Sequence, residues 1–177
     1  MTRMLASVAT LQEARLAAEC GVDIIDLKNP AAGALGALPL DTVARIVREL
    51  RGRAPLSATV GDLPMEPVTI RAAAEAMAAT GVDFVKLGCF PGGDWPGVFA
   101  ALKPLAARGE RLVAVLFADD AIELDWLPML AKAGFTGAML DTANKQGGSL
   151  TTLRDGRFLG EFVDETHRAG LLCGLAG

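Results

Sequence analysis

The sequence predicts an α/β fold of the (β/α)8 TIM-barrel type, truncated after the seventh strand. Three observations predict it: short β-rich runs alternate with Ala/Leu-rich stretches of helical period, the strands are almost continuously apolar, and a Gly-led strand motif recurs. Apolar strands that alternate with helices are typical of parallel βα units. We therefore expect a single barrel domain, residues 1–177, that lacks the eighth strand and the last helices of a complete barrel.

The predicted elements follow one another in strand–helix order. Seven strands are expected, at residues 5–9, 23–27, 56–60, 83–88, 111–118, 138–141 and 171–176. Six helices of 3.6-residue period separate them, at residues 11–20, 41–51, 67–79, 95–108, 125–134 and 157–170. Glycine stands at or just after four helix ends, where the left-handed conformation of a C-cap is needed. These glycines are Gly21, Gly81, Gly134 and Gly170.

The same alternation also fits an open, doubly wound sheet. A nucleotide-binding sheet normally carries G-x-G-x-x-G or a Walker loop after its first strand, and SVATLQEA has neither. A flavodoxin-like sheet stays open on this observation. An internal repeat favours the barrel, because GVDIIDLK at 21–28 recurs as GVDFVKLG at 81–88 and, more loosely, as GFTGAMLD at 134–141. These are strands two, four and six, and even strands of a barrel share layers.

Composition limits the classes of partner. The chain has a net charge of -4 and no cluster of basic residues, so we expect no nucleic-acid partner. No apolar stretch approaches the roughly 20 residues that span a membrane, and no signal peptide opens the sequence. We therefore expect a cytoplasmic protein without a membrane partner.

The three cysteines lie in apolar stretches, which favours reduced core thiols over disulfides or a zinc site.

The repeat places charged residues at equivalent strand positions, the fifth and the seventh after each glycine. The fifth positions hold Asp26, Lys86 and Met139, and the seventh positions hold Lys28, Gly88 and Asp141. Side chains two positions apart on a strand point the same way, and charged ones in a barrel belong inside it or at its mouth. We therefore expect two acids and two lysines to converge at the C-terminal mouth, where Lys145, in the next loop, can fold back over them.

This cluster predicts amine chemistry. A lysine at a strand end is often only a solvated tip, and an Asp-x-Lys pair is often only an ion pair. Three amines in one apolar-walled site repel one another, however, which favours a neutral amine that can attack a carbonyl and form a Schiff base. Asp26 and Asp141 would oppose that effect while accepting or donating protons. The identity of the neutral amine stays open.

Loops after the strands suit a phosphorylated substrate. NPAAGALGALP, residues 29–39, has a composition that lets backbone amides approach an anion, although such loops are also simple turns. SATVGDLP, 57–64, and GCFPGGDW, 88–95, add polar and Gly-rich segments to neighbouring strand ends. NKQGGSL, 144–150, is either a mobile lid or a flexible connection.

The strings DIIDLKNPAAGALGALP, SATVGDLP, VDFVKLG, LDTANKQG and EFVDETHRAGLLCGLAG, in this order, resemble the (5-formylfuran-3-yl)methyl phosphate synthase family over nearly the whole chain. The resemblance implies a Schiff-base lyase of methanofuran-type cofactor biosynthesis. Such an enzyme condenses two molecules of glyceraldehyde 3-phosphate to a furan aldehyde phosphate, with loss of phosphate and water.

The resemblance also implies that Lys28, Lys86 and Lys145 are functional lysines with Asp26 and Asp141 as acidic partners. Lys28 or Lys145 is then expected to form the imine, and Lys86 with Asp26 to transfer protons. No metal or organic cofactor is expected, because the imine supplies the electron sink.

The chain stops at Gly177, whereas family members continue past this motif. An unclosed barrel would leave strands one and seven as bare edges, so we expect either a fragment or a partner that covers the gap, and hence a homo-oligomer.

Two other functions stay open. One is a class I aldolase-like enzyme on a phosphorylated aldehyde, which would release no inorganic phosphate. The other is a non-catalytic barrel fragment that binds sugar phosphates.

Overall fold

The fold is a curled sheet of parallel strands, seen in a computed structural model that describes residues 2–144 and 147–177. Within these ranges the strands are β1 (Leu5–Val8), β2 (Ile24–Leu27), β3 (Leu56–Thr59), β4 (Phe84–Gly88), β5 (Leu112–Phe117), β6 (Gly137–Asp141) and β7 (Leu172–Leu175). Each strand pairs in parallel with the next, so their order in the sheet is their order in the chain. The predicted barrel-type fold class is confirmed.

Helices connect the strands. In the described part they are α1 (Leu11–Glu19), α2 (Leu40–Leu50), α3 (Pro67–Ala78), α4 (Trp95–Ala107), α5 (Trp126–Lys132), α6 (Leu150–Leu153) and α7 (Gly156–Arg168), with a 3-10 turn at Pro30–Ala32. All six predicted helices are confirmed, with ends that differ by a few residues. The short α6 and the 3-10 turn were not predicted, because neither is long enough to show a helical period.

Local capping chemistry explains where the helices begin. Before α1, the Thr10 hydroxyl accepts from the Glu13 amide while the Glu13 carboxylate accepts from the Thr10 amide, which is a capping box. Before α7, the Asp155 carboxylate accepts from the Phe158 amide at 2.8 Å. After α7, Gly170 has a φ of 76°, as the predicted C-cap requires. Caps encoded in the local sequence therefore set where α1 and α7 begin and where α7 ends.

The hydrophobic core has two parts, one on each face of the sheet. The larger part lies between the strands and the helices, and it includes Leu112, Ala114 and Leu116 of β5. The alternate residues of β5 join a smaller group on the concave face, which we call the inner cluster. Its buried members are Ala34, Leu35, Val115, Phe117 and Met139. The inner cluster brings the loop after β2 into contact with β5 and β6.

The concave face of the sheet is open along one side. β1 and β7 each pair with a single strand, and Leu172 and Leu175 of β7 are 42% and 45% exposed. A cavity of about 310 Å³ lies elsewhere, near Trp95 and Trp126, whereas a cavity of about 650 Å³ runs along the concave face. Within the described ranges, no helix has both the length and the apolar character that a membrane span needs.

The cysteines lie in three different environments, and all three are free thiols. Cys89 is buried, as predicted for a core thiol, and Cys173 is half-buried. The prediction is wrong for Cys20, which is exposed. Cys20 is the C-cap residue of α1, so its side chain lies at the end of the helix and outside the apolar face that α1 packs against the sheet.

Candidate active site

The fifth positions of the first two repeats form an ion pair inside the curled sheet. Lys86 Nζ lies 3.0 Å from Asp26 Oδ2, and the two residues are 2% and 0% exposed. Asp26 belongs to β2 and Lys86 to β4, so the lysine side chain reaches across β3 to its partner. The structure thus brings together two of the predicted site residues. They lie in one layer of side chains, as the repeat predicted for equivalent positions of even strands.

Asp26 is held by two hydroxyl groups as well. The Ser57 hydroxyl donates to Oδ1 at 2.6 Å, and the Ser7 hydroxyl donates to Oδ2 at 3.0 Å. Ser7, Asp26 and Ser57 are direct partners in the register of β1, β2 and β3, so parallel pairing alone lines them up. With Lys86, three donors surround one buried carboxylate, and together they fix its orientation.

Sequence reasoning did not select Ser7 as a site residue and mentioned Ser57 only as part of a loop. A signal was present in both cases. Each serine is the polar residue at the centre of a short apolar strand, and each precedes a strand end by one or two positions. A hydroxyl at such a place in a barrel faces the same mouth as the charged residues.

The seventh positions of the first and third repeats form a second pair. Lys28 Nζ lies 3.6 Å from Asp141 Oδ2, and the side chains are 11% and 4% exposed. The other oxygen of Asp141 accepts from the Thr142 amide at 2.7 Å. This pair is longer than the first and closer to solvent, and it lies one layer nearer the carboxyl ends of the strands. The two pairs therefore offer different accessibility to a small molecule.

The fifth predicted site residue, Lys145, lies outside the described residues. The backbone just before it is anchored by Asp119, whose carboxylate accepts from the Ala143 amide at 2.8 Å and the Asn144 amide at 2.6 Å. Asp119 follows β5, the neighbour of β6 in the sheet. An acid at the end of one strand thus holds the loop that leaves the next.

The loop after β2 is held in the same way, by Asp62 from the segment after β3. The Asp62 carboxylate accepts from the Ala34 amide at 2.8 Å and the Leu35 amide at 2.7 Å. We expected this Gly-rich loop to offer amides to a substrate phosphate. At these two amides the chain supplies its own anion instead, because Asp62 lies close enough to fill the place.

Leu35 covers the mouth above the buried ion pair. It is fully buried in the inner cluster. A side chain at Gly88, two residues after Lys86, would meet Leu35 Cδ1 at 2.9 Å and the Phe90 ring at 2.5 Å. The seventh position of the second repeat is therefore glycine because leucine and phenylalanine side chains occupy its space.

The arrangement can bind an anionic small molecule and move protons. Lys86 and Ser57 line the 650 Å³ cavity, a volume within the roughly 300–1,000 Å³ of typical ligand sites. The described residues that line this cavity also include strand starts such as Leu5 and Ile24, and they do not include Lys28 or Asp141. Two ammonium groups attract phosphate, and each has a carboxylate within reach that can exchange protons with a substrate. Fold and site define a barrel-type α/β protein whose buried charged pairs lie toward the carboxyl ends of its strands, the end at which such folds hold their active sites.

Comparison with solved structures supports the fold. Dihydrodipicolinate synthase from Acinetobacter baumannii superposes with a TM-score of 0.71 at 13% identity, over 98% of this chain and 62% of that protein. A 2,3-dimethylmalate lyase of the PEP mutase/isocitrate lyase superfamily gives a TM-score of 0.65 at 13% identity, over 99% and 76% of the two chains. At such identities the likeness concerns the architecture alone.

The chain belongs to the 4-HFC-P synthase family, whose family model matches residues 4–177. A relative from Methanocaldococcus jannaschii, named (5-formylfuran-3-yl)methyl phosphate synthase, is 38% identical over 98% of this chain and 79% of its own. A relative from Methanococcus maripaludis with the same name is 35% identical over 98% of this chain and 78% of its own. A Methylorubrum extorquens protein, to which that name is given provisionally, is 44% identical over 99% and 72%. The family resemblance is confirmed, and it places the chain among enzymes.

Proposed function

We propose that the protein condenses two molecules of glyceraldehyde 3-phosphate to (5-formylfuran-3-yl)methyl phosphate, with release of inorganic phosphate and water. It would act as a Schiff-base-forming carbon–oxygen lyase in methanofuran-type cofactor biosynthesis. One observation carries the proposal: two buried lysine–aspartate pairs lie on the curled sheet of a chain whose relatives bear the name of this synthase.

Lys28 is the proposed nucleophile. Its side chain is 11% exposed, against 3% for Lys86, so Lys28 is the more accessible of these two amines. The amine attacks the carbonyl carbon of one triose phosphate, and Asp141, 3.6 Å away, takes up a proton from it. Water then leaves, and the resulting iminium draws electrons from the neighbouring carbon, whose proton becomes easier to remove.

Lys86 and Asp26 are the proposed proton-transfer pair. Asp26 is held by Ser7, Ser57 and Lys86, so its oxygens keep one orientation while protons move. Lys86 lines the cavity and can pass a proton between Asp26 and a bound triose during enolisation and loss of water. Lys145 keeps the role that the resemblance implies for it, as the alternative amine for imine formation.

The remaining parts of the proposal concern the whole molecule. Residues 1–177 form one barrel-type domain that works in the cytoplasm without a metal or organic cofactor. A homo-oligomer is proposed because Leu172 and Leu175 present apolar surface on β7, which a second copy could cover.

The test combines product analysis with trapping. The protein is incubated with glyceraldehyde 3-phosphate, and inorganic phosphate and the furan aldehyde are measured together. Borohydride added during turnover reduces any imine, and mass spectrometry of peptides locates it. We expect release of phosphate and an adduct on Lys28, with no change in either when Lys103, exposed on α4, is replaced by alanine.

Two outcomes would contradict the proposal. A folded protein without an adduct on Lys28, Lys86 or Lys145 would rule out the imine. An adduct without phosphate release would instead indicate the aldolase-like alternative. The first outcome concerns the nucleophile and the second concerns the reaction, so they are distinguishable.

A further inference from the structure

We propose that Asp62 is a positioning residue: its carboxylate locks the loop of residues 29–39 over the mouth and so seats Leu35 as an apolar wall above the reactive pair. The kinetic part of this inference rests on the proposed function, whereas the lock itself does not. Asp62 lies in the SATVGDLP segment, and the proposed chemistry gives Asp62 itself no role.

The lock is built from two adjacent amides and one carboxylate. The Ala34 amide donates to Asp62 Oδ2 and the Leu35 amide to Oδ1, so each oxygen is bound once. Hydrogen bonds to a charged acceptor are roughly twice as strong as neutral ones. Gly33 completes the fit: its φ is 121°, and a Cβ there would lie 2.1 Å from Asp62 Oδ2. The loop is therefore shaped around this carboxylate.

A second contact holds the loop at Gly36, the residue that follows Leu35. The Thr59 hydroxyl, fully buried on β3, donates to the Gly36 carbonyl at 3.1 Å. Asp62 and Thr59 both belong to the segment that leaves β3, so the loop after β2 is tied to its neighbour in the sheet. Leu35 lies between the two ties, and its side chain is thereby pressed into the inner cluster.

Leu35 is placed to control the environment of the reaction. Its Cδ1 occupies the space over Gly88, and Gly88 follows Lys86 by two residues on the same face of β4. An apolar side chain there keeps water away from the Lys86–Asp26 pair, which strengthens electrostatic interactions within the site. The Asp62 carboxylate binds the Ala34 and Leu35 amides, so we infer that it acts on the site through Leu35.

Asp62 is itself exposed, which separates effects on the loop from effects on the core. Replacing an exposed residue leaves the core intact, so effects on the site must pass through the loop. In Asp62→Ala the two amides lose their acceptor, and formate can enter the place of the missing side chain and restore a carboxylate. Asp62→Asn keeps one oxygen for one amide and is expected to give an intermediate effect. Asp164→Ala, at an exposed position on α7, is the matched control.

The experiment has two readouts. Hydrogen exchange follows the peptide that contains the Ala34 and Leu35 amides, and steady-state kinetics with glyceraldehyde 3-phosphate give kcat and KM. In Asp62→Ala we expect faster exchange and a fall in kcat/KM of roughly tenfold, the scale set by loss of charged hydrogen bonds. Formate should reverse both changes. Leu35→Ala should show the kinetic loss without rescue by formate.

If the Ala34 and Leu35 amides exchange no faster in Asp62→Ala, Asp62 does not anchor the loop. Faster exchange with unaltered kcat/KM in an active protein would overturn the role in the reaction. The proposal is also overturned if Asp62→Asn and Asp62→Ala show equal exchange rates and equal kcat/KM, and formate changes neither readout. The loop would then not recognise a carboxylate. If the unmodified protein shows no turnover, the proposed function fails, while exchange and its reversal by formate still decide whether Asp62 seats the loop.

Discussion

Replacing Lys86 by methionine is expected to destabilise the fold strongly. The change removes the ammonium 3.0 Å from Asp26 Oδ2 but leaves the fully buried carboxylate in place. Breaking a buried ion pair by removing one partner costs about 3–5 kcal/mol. Ser7 and Ser57 still donate to Asp26, so we expect about 3 kcal/mol, the lower end of that range. Urea unfolding at pH 7 measures the free energy of unfolding, whose total for a domain is about 5–15 kcal/mol.

Two further variants test the reason for that loss. Lys86→Met with Asp26→Asn removes the uncompensated charge, so the double variant should be more stable than Lys86→Met alone. Arg157→Met breaks the exposed Arg157–Glu161 pair on α7, and no measurable change is expected. If Lys86→Met unfolds at the same urea concentration as Arg157→Met, or the two site substitutions simply add, Asp26 and Lys86 do not form a coupled buried pair.

Three other predictions concern groups outside the mouth. Burial raises the pKa of the Cys89 thiol, so iodoacetamide should label exposed Cys20 quickly and Cys89 only on unfolding; equal labelling rates by peptide mass spectrometry would contradict this. Burial, and then the charge of Asp119, raise the pKa of Asp120, so its charged form opposes folding above its raised pKa. Asp120→Asn should therefore raise the Tm at pH 7 but not below about pH 4, near the usual pKa of aspartate, and a difference independent of pH would refute this cause. Thr10→Ala removes the N-cap of α1 and should lower the free energy of unfolding by about 1 kcal/mol in urea, whereas Thr10→Ser should leave it nearly unchanged.

The convergence of the site residues could be predicted from the repeat. Residues at the same position of strands two, four and six lie in one layer, so Asp26, Lys28, Lys86 and Asp141 were expected to converge. The structure shows which of them pair, Asp26 with Lys86 and Lys28 with Asp141. Two regularities suffice for the convergence: side chains alternate with period two, and alternate strands of a barrel share layers. The catalytic roles of these residues, and that of Lys145, stay predictions.

The carboxylates that hold the loops could not be predicted in this way. Asp62 lies 28 residues from Ala34 in the chain, and Asp119 lies 24 residues from Ala143. Neither acid belongs to a periodic pattern, and an aspartate after a strand is an ordinary turn residue. Sequence reasoning recognised that the loop of residues 29–39 could hold an anion. Only the fold shows that the chain brings one of its own acids there.

Gly88 breaks the equivalence of the three repeats. The matching positions hold Lys28, just after β2, and Asp141, at the end of β6, whereas the space beside Gly88 is occupied by the side chains of Leu35 and Phe90 from two loops. In the proposed reaction an enzyme must join two copies of one substrate and give each a different fate. With glycine at residue 88 the three repeats present different side chains, so in the proposed reaction two identical substrate molecules would meet different surroundings.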